Sequence, residues 1–123
     1  MKYLLFVFAI IFSTSSVPSS FKNADAKRME SRIKKLGEFG WSESGSQRVA
    51  FSEADLTARK YFISLMKAAG LEVDIDFAGN IIGRREGKNP KLAPIMFGSH
   101  LDTVPNGGMY DGIVGSVGAL EVI

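Results

Sequence analysis

Cysteine is missing from all 123 residues, and histidine occurs once, as His100. The first absence excludes disulfides, thiolate zinc clusters, cysteine nucleophiles and lipid attachment through a thiol. The second leaves His100 and carboxylates as the ligands for any metal chemistry, and His100 as the only imidazole base. Charge of one sign is also lacking: 15 Lys and Arg face 13 Asp and Glu, a net +2, so no basic footprint for nucleic acid exists. No apolar run reaches the roughly 20 residues that span a bilayer as a helix. What remains is ordinary globular composition, 46% hydrophobic and 23% charged, which excludes disorder as the default. At this length the chain holds one small domain at most.

The N-terminus reads as a targeting segment. Lys2 supplies a short positive region, Tyr3 to Phe12 is unbroken apolar sequence, and a Ser-rich stretch with Pro18 follows. That order is the pattern of a secretory signal peptide. The small-x-small pair Ala24 and Ala26 places cleavage after Ala26; Val17 and Ser19 offer an alternative after Ser19. The expected organisation is therefore residues 1–26 as signal peptide and 27–123 as the folded segment, exported to the periplasm or outside the cell with no stable membrane anchor.

Along the folded segment, Met29, Ile33 and Leu36 recur at helical spacing from Lys27 to Glu38, ahead of Gly37 and Gly40. Trp41 to Phe51 has no period and reads as a loop. Ser52 with Asp55 resembles a capping box and opens a second helix, with Leu56, Tyr61, Phe62, Leu65, Met66 and Ala69 largely on one side. Gly70 sits where a left-handed terminal residue is expected. Leu71, Val73, Ile75 and Phe77 alternate with Glu72, Asp74 and Asp76, the period of a strand with one wet face. The three acids are read as that solvated face rather than a cation site. Gly79 and Asn80 turn the chain into a second strand, Ile81 to Arg85. Ala93 to Phe97 is apolar without alternation, as expected of a strand covered on both faces. Gly112 to Ile123 reads as a buried helix whose Gly115 and Gly118 permit close approach to a strand. Helix, hairpin, buried strand, glycine-rich loop and buried helix predict the opening of an α/β layer structure.

The chemistry concentrates in GSHLDTVPNGGMYDG, Gly98 to Gly112. In α/β sheets ligands bind beyond the carboxyl ends of strands, and this loop leaves from such an end. His100 and Asp102 are one residue apart, so on a continuing strand both side chains point the same way. A carboxylate beside an imidazole accepts the proton of one ring nitrogen and holds the other toward a metal. Asp111 precedes a helix and suits either its N-cap or a cation. A phosphate cradle is excluded: there is no GxxxxGK[ST], and Gly112, Gly115 and Gly118 do not follow the dinucleotide spacing. Serine catalysis is excluded as well, because neither Ser99 nor Ser116 lies in GxSxG.

These residues resemble a known family, the metal-dependent amidohydrolases of the hydantoinase/carbamoylase type within the M20 peptidase group. It includes allantoate amidohydrolases, N-carbamoyl-L-amino-acid hydrolases and beta-ureidopropionases. The likeness runs from about Ile33 to Ile123 and is carried by QRVAFSEADLTAR, MKAAGLEV, DFAGNIIGRREG and GSHLDTVPNGGMYDGIVGSVGALEVI. It implies the N-terminal portion of a zinc-peptidase-like catalytic domain, α/β with a mostly parallel sheet flanked by helices. Residue by residue, His100 resembles the first metal ligand, Asp102 the aspartate that orients its imidazole in the catalytic centre, and Asp111 the carboxylate bridging two divalent ions, zinc or manganese. The implied reaction is hydrolysis of a C–N bond in a linear amide or ureido compound by metal-activated water. For the complete protein the resemblance implies a homodimer acting on a small molecule.

The family's general base comes from a Glu-Glu pair, and this sequence has neither that pair nor a second His. Glu121, ten residues after Asp111 on one helix, stands about 15 Å along the axis and cannot share the ion. The isolated chain is thus expected to be an inactive fragment. Competing readings are a fragment of an M20 aminoacylase or peptidase, and a non-catalytic exported binding module.

Overall fold

The computed structural model describes residues 24–123; the apolar run at Tyr3 to Phe12 and the Ser-rich stretch behind it lie outside the described residues. Helix α1 (Ala26–Glu38) starts where Asp25 takes the N-cap, its carboxylate accepting the Arg28 amide at 3.0 Å. Ile33 and Leu36 carry its buried face. Gly37 continues that face because a β-carbon there would meet the Met109 side chain at 3.0 Å.

The stretch expected as loop contains a minimal hairpin, β1 (Trp41–Ser42) paired antiparallel with β2 (Gly45–Ser46). One local hydrogen bond and two to a distant segment account for it. The Ser42 hydroxyl donates to the Gly45 carbonyl at 2.8 Å, and Ser46 exchanges main-chain hydrogen bonds with Gly107 at 2.9 and 3.1 Å. The hairpin therefore fastens the far end of the glycine-rich loop.

Helix α2 (Glu53–Ala68) begins at the expected cap: Ser52 Oγ accepts the Asp55 amide at 3.2 Å. Asp55 answers by accepting the Phe51 amide at 2.9 Å, one residue earlier than the Glu of an ordinary capping box reaches. The stripe Asp55, Ala58, Phe62 and Met66 faces inward, whereas Leu56 is exposed. Gly70 adopts φ +81° as expected and ends the helix.

Strands β3 (Glu72–Ile75) and β4 (Ile81–Arg84) form the expected hairpin, with Val73 opposite Gly83. Glu72 and Asp74 are exposed. Asp76 instead holds the turn, accepting the Ala78 and Asn80 amides at 3.0 and 2.8 Å. Gly83 leaves the space that Met66 and Leu71 fill from α2 and its exit.

The largest departure is Ala93 to Phe97, which is neither a strand nor buried. Its backbone has no partner among the described residues, and Ile95 is 90% exposed. Apolar composition makes a strand only when another strand supplies the ladder. Both sheets of the described residues are two-stranded and antiparallel, so no parallel neighbour meets this run. Helix α3 (Ile113–Glu121) is buried along Ile113, Val117 and Leu120 and packs against α1. The three side chains contribute about 1.5–3 kcal/mol each by burial. Gly115 allows the close approach expected of it, since a β-carbon there would meet Ser99 at 2.8 Å. Gly118 lies beside Met29 of α1 instead. No described helix is long and apolar enough to cross a membrane.

Candidate metal centre

His100 lies on a segment without regular secondary structure that packs against the N-terminal part of α3. Its main chain is held there by Ser116, whose hydroxyl donates to the His100 carbonyl at 3.1 Å. The imidazole lies directly over Gly112, which has φ +67°; a β-carbon at that position would fall 2.5 Å from Cε1 and Nδ1 of the ring. Glycine is therefore required twice, for the left-handed backbone and for the space.

The ring's two nitrogens have separate surroundings. Nδ1 lies 3.0 Å from the Asp102 carbonyl and 3.4 Å from its Oδ1. A carbonyl oxygen only accepts, so Nδ1 carries the proton and Nε2 of the neutral ring keeps its lone pair. That lone pair faces Asp111 Oδ2 at 3.8 Å. Asp102 sits beside the ring although no strand runs through it and His100, and the shorter contact comes from its main-chain oxygen.

Asp111 is not the helix cap. Gly112 occupies that position without a side-chain hydrogen bond, and the first amides of α3 are met by carbonyls: Ile113 by Asp111 at 2.7 Å and Val114 by Tyr110 at 3.1 Å. The carboxylate is left 79% exposed and directed at the imidazole. A lone pair opposite a carboxylate is favourable with a cation between them, be it a proton or a metal ion. An ion held about 2.1 Å from each ligand atom bridges separations up to about 4.2 Å, so the observed gap admits one. The donor set thus fits two ligands of a divalent ion, with Asp102 setting the ring from behind.

The described residues contain no group of three His, Asp or Glu placed to hold an ion. Glu121 is committed elsewhere: it accepts Arg32 at 3.0 Å and the Asp25 amide at 2.9 Å, and also pairs with Arg28. Those partners hold its carboxyl at about 2, well below the usual carboxylate range, the Arg28 hydrogen bond contributing most. One contributor escapes the sequence reading: Gly112 looks like one turn glycine among several.

No family model matches the chain. It is 46% identical over 102 residues to an N-carbamoyl-L-amino-acid amidohydrolase of Paenarthrobacter aurescens, covering 83% of this chain and 25% of that protein. It is 40% identical over 113 residues to a ureidoglycolate hydrolase of Arabidopsis thaliana, covering 91% and 24%. Among solved structures, a hydantoinase/carbamoylase family amidase from Burkholderia vietnamiensis superposes with a TM-score of 0.80 at 36% identity, over 85% of this chain and 25% of that one. The chain spans about a quarter of the length of the curated relatives it matches. Sequence and backbone agree on the class, an α/β amidohydrolase segment. The chain belongs to the hydantoinase/carbamoylase amidases over the segment it shares with them.

Proposed function

We propose that the protein to which this segment belongs hydrolyses C–N bonds of linear ureido or amide compounds, N-carbamoyl amino acids and allantoate among them, at a centre of two divalent ions, zinc or manganese. The observation that carries this reading is the pairing of His100 Nε2 with an uncapped Asp111 carboxylate across 3.8 Å. His100 and Asp111 would hold the metal, and Asp102 fixes the imidazole by accepting a hydrogen bond from Nδ1 on its main-chain oxygen. A divalent ion bound there would supply a water of lowered pKa and polarise the substrate carbonyl. The names of the relatives favour ureido substrates over N-acyl amino acids; comparing turnover of the two by a chain of full family length separates the carbamoylase from the aminoacylase reading. The complete protein acts on a small molecule as a homodimer.

Two ligands do not close a bimetal site, so the 123-residue polypeptide alone is inactive toward N-carbamoyl amino acids. The test is zinc or manganese content of the folded chain beside His100→Ala and Asp111→Ala. Each substitution is expected to remove most bound metal. Equal content in all three overturns the ligand assignment and leaves the non-catalytic module.

The Lys2 to Phe12 pattern supports export. Processing after Ser19 leaves Asp25 in place as cap of α1 and partner of Glu121, whereas processing after Ala26 removes it. N-terminal sequencing of the protein expressed in an exporting host is expected to begin at Ser20; Met1 in all of it would refute processing of the leader as a signal peptide.

A further inference from the structure

Arg48 is fully buried, with no carboxylate within ion-pair distance among the described residues. A buried cation is costly unless its surroundings answer it, and burial lowers this guanidinium's pKa against the opposing pull of Asp55 and Asp102. The answering groups are main-chain carbonyls. Nε donates to Leu101 O at 2.7 Å, and Nη1 donates to Leu36 O at 2.8 Å and Phe39 O at 2.9 Å, while Nη2 has no partner. The Arg48 main chain adds two bonds to the same extended segment: its carbonyl accepts the Thr103 amide at 2.8 Å, and its amide donates to Thr103 Oγ1 at 3.2 Å.

The positions of these bonds matter more than their number. Leu101 and Thr103 flank Asp102, and across a trans peptide the carbonyl of one residue points opposite to the amide of the next. Fixing the 101 carbonyl and the 103 amide toward Arg48 turns the 102 carbonyl the other way, where it meets His100 Nδ1 at 3.0 Å. We infer that the Arg48 side chain is a positioning group for the metal centre: by tying the Leu101 carbonyl to the end of α1, next to the Thr103 amide that the Arg48 main chain already holds, it fixes the peptides on either side of Asp102, sets the tautomer of His100 and aims Nε2 at Asp111. The inference rests on the proposed metal reading for its purpose but not for its geometry.

The full 123-residue chain carries one histidine, so its imidazole nitrogen signals need no assignment. Long-range proton–nitrogen correlation at about pH 8, above the ordinary imidazole range, reads the tautomer directly. The parent is expected to show Nδ1–H. Arg48→Met is expected to relax toward the mixture of free histidine, while Phe62→Leu, a core change in α2, keeps the parent signature at comparable loss of unfolding midpoint. If Arg48→Met does not fold, Arg48→Lys decides, since an ammonium keeps the charge but cannot span the three carbonyls. A parent-like tautomer in the folded Arg48 variant, or equal relaxation in Phe62→Leu, overturns the inference. Zinc titration of the same proteins is expected to show affinity weakened about 10-fold or more in the Arg48 variant only. A parent that binds no zinc yet shows the Arg48-dependent tautomer sinks the metal reading and leaves the positioning role standing.

Discussion

At the scale of single residues, Gly112 is where backbone and chemistry constrain each other most tightly. An alanine there adds strain from the positive φ, about 1–3 kcal/mol, and forces the imidazole aside because the new β-carbon has no room under the ring. Gly112→Ala is expected to lower stability by that amount and to weaken divalent-ion binding. Gly108→Ala, with open space around its position, is expected to stay within about 0.5 kcal/mol of the parent. Urea unfolding and zinc titration measure the two effects; equal behaviour of both variants would remove Gly112 from the site. The contrast also marks how far residues could be read from sequence. His100, Asp102 and Asp111 can be proposed from sequence because their chemistry is in the side chain and their spacing is short. Gly112 and Arg48 act through a φ sign and through burial, which are properties of the folded chain.

Between elements, the contact that orders the helices is Glu121 at the end of α3 against Arg28 and Arg32 of α1. The Glu121 side chain is 1% exposed, and its carboxyl is held at about 2 against an ordinary 4.5. A carboxyl depressed in the folded state adds stability that is fully present above its unfolded value and is lost as pH falls through the folded one. The contribution is therefore complete above about pH 4.5 and disappears toward pH 2. Glu121→Gln is expected to cost about 1–3 kcal/mol at neutral pH, the worth of hydrogen bonds to charged groups. The gap between parent and variant should close as pH falls through that window. Urea midpoints measured across it provide the check, and a gap independent of pH would show that the pair contributes nothing through its charge. The helices and the β3–β4 hairpin were legible because caps, periods and turn residues are local signals. The β1–β2 hairpin was not, since Ser46 is held by Gly107, far along the chain.

For the molecule as a whole, the decisive feature is the uncovered run from Ala93 to Phe97. Its composition was read correctly and its setting was not, because a covered strand is defined by neighbours and the described residues contain none for it. The chain spans only about a quarter of the length of the relatives it matches. An extended apolar segment with unpaired amides and carbonyls is a template for pairing with a second strand. Pro94 removes one donor from the row, but Ile95, Met96 and Phe97 retain theirs, with large side chains in water. The 123-residue chain on its own is accordingly expected to self-associate as concentration rises. Ile95→Lys with Phe97→Lys should suppress this while leaving the unfolding midpoint nearly unchanged, because neither side chain belongs to the buried core. Sedimentation velocity over a concentration series distinguishes the outcomes. A parent monomeric throughout, or a double variant that associates as strongly as the parent, would show that this run is not the adhesive surface.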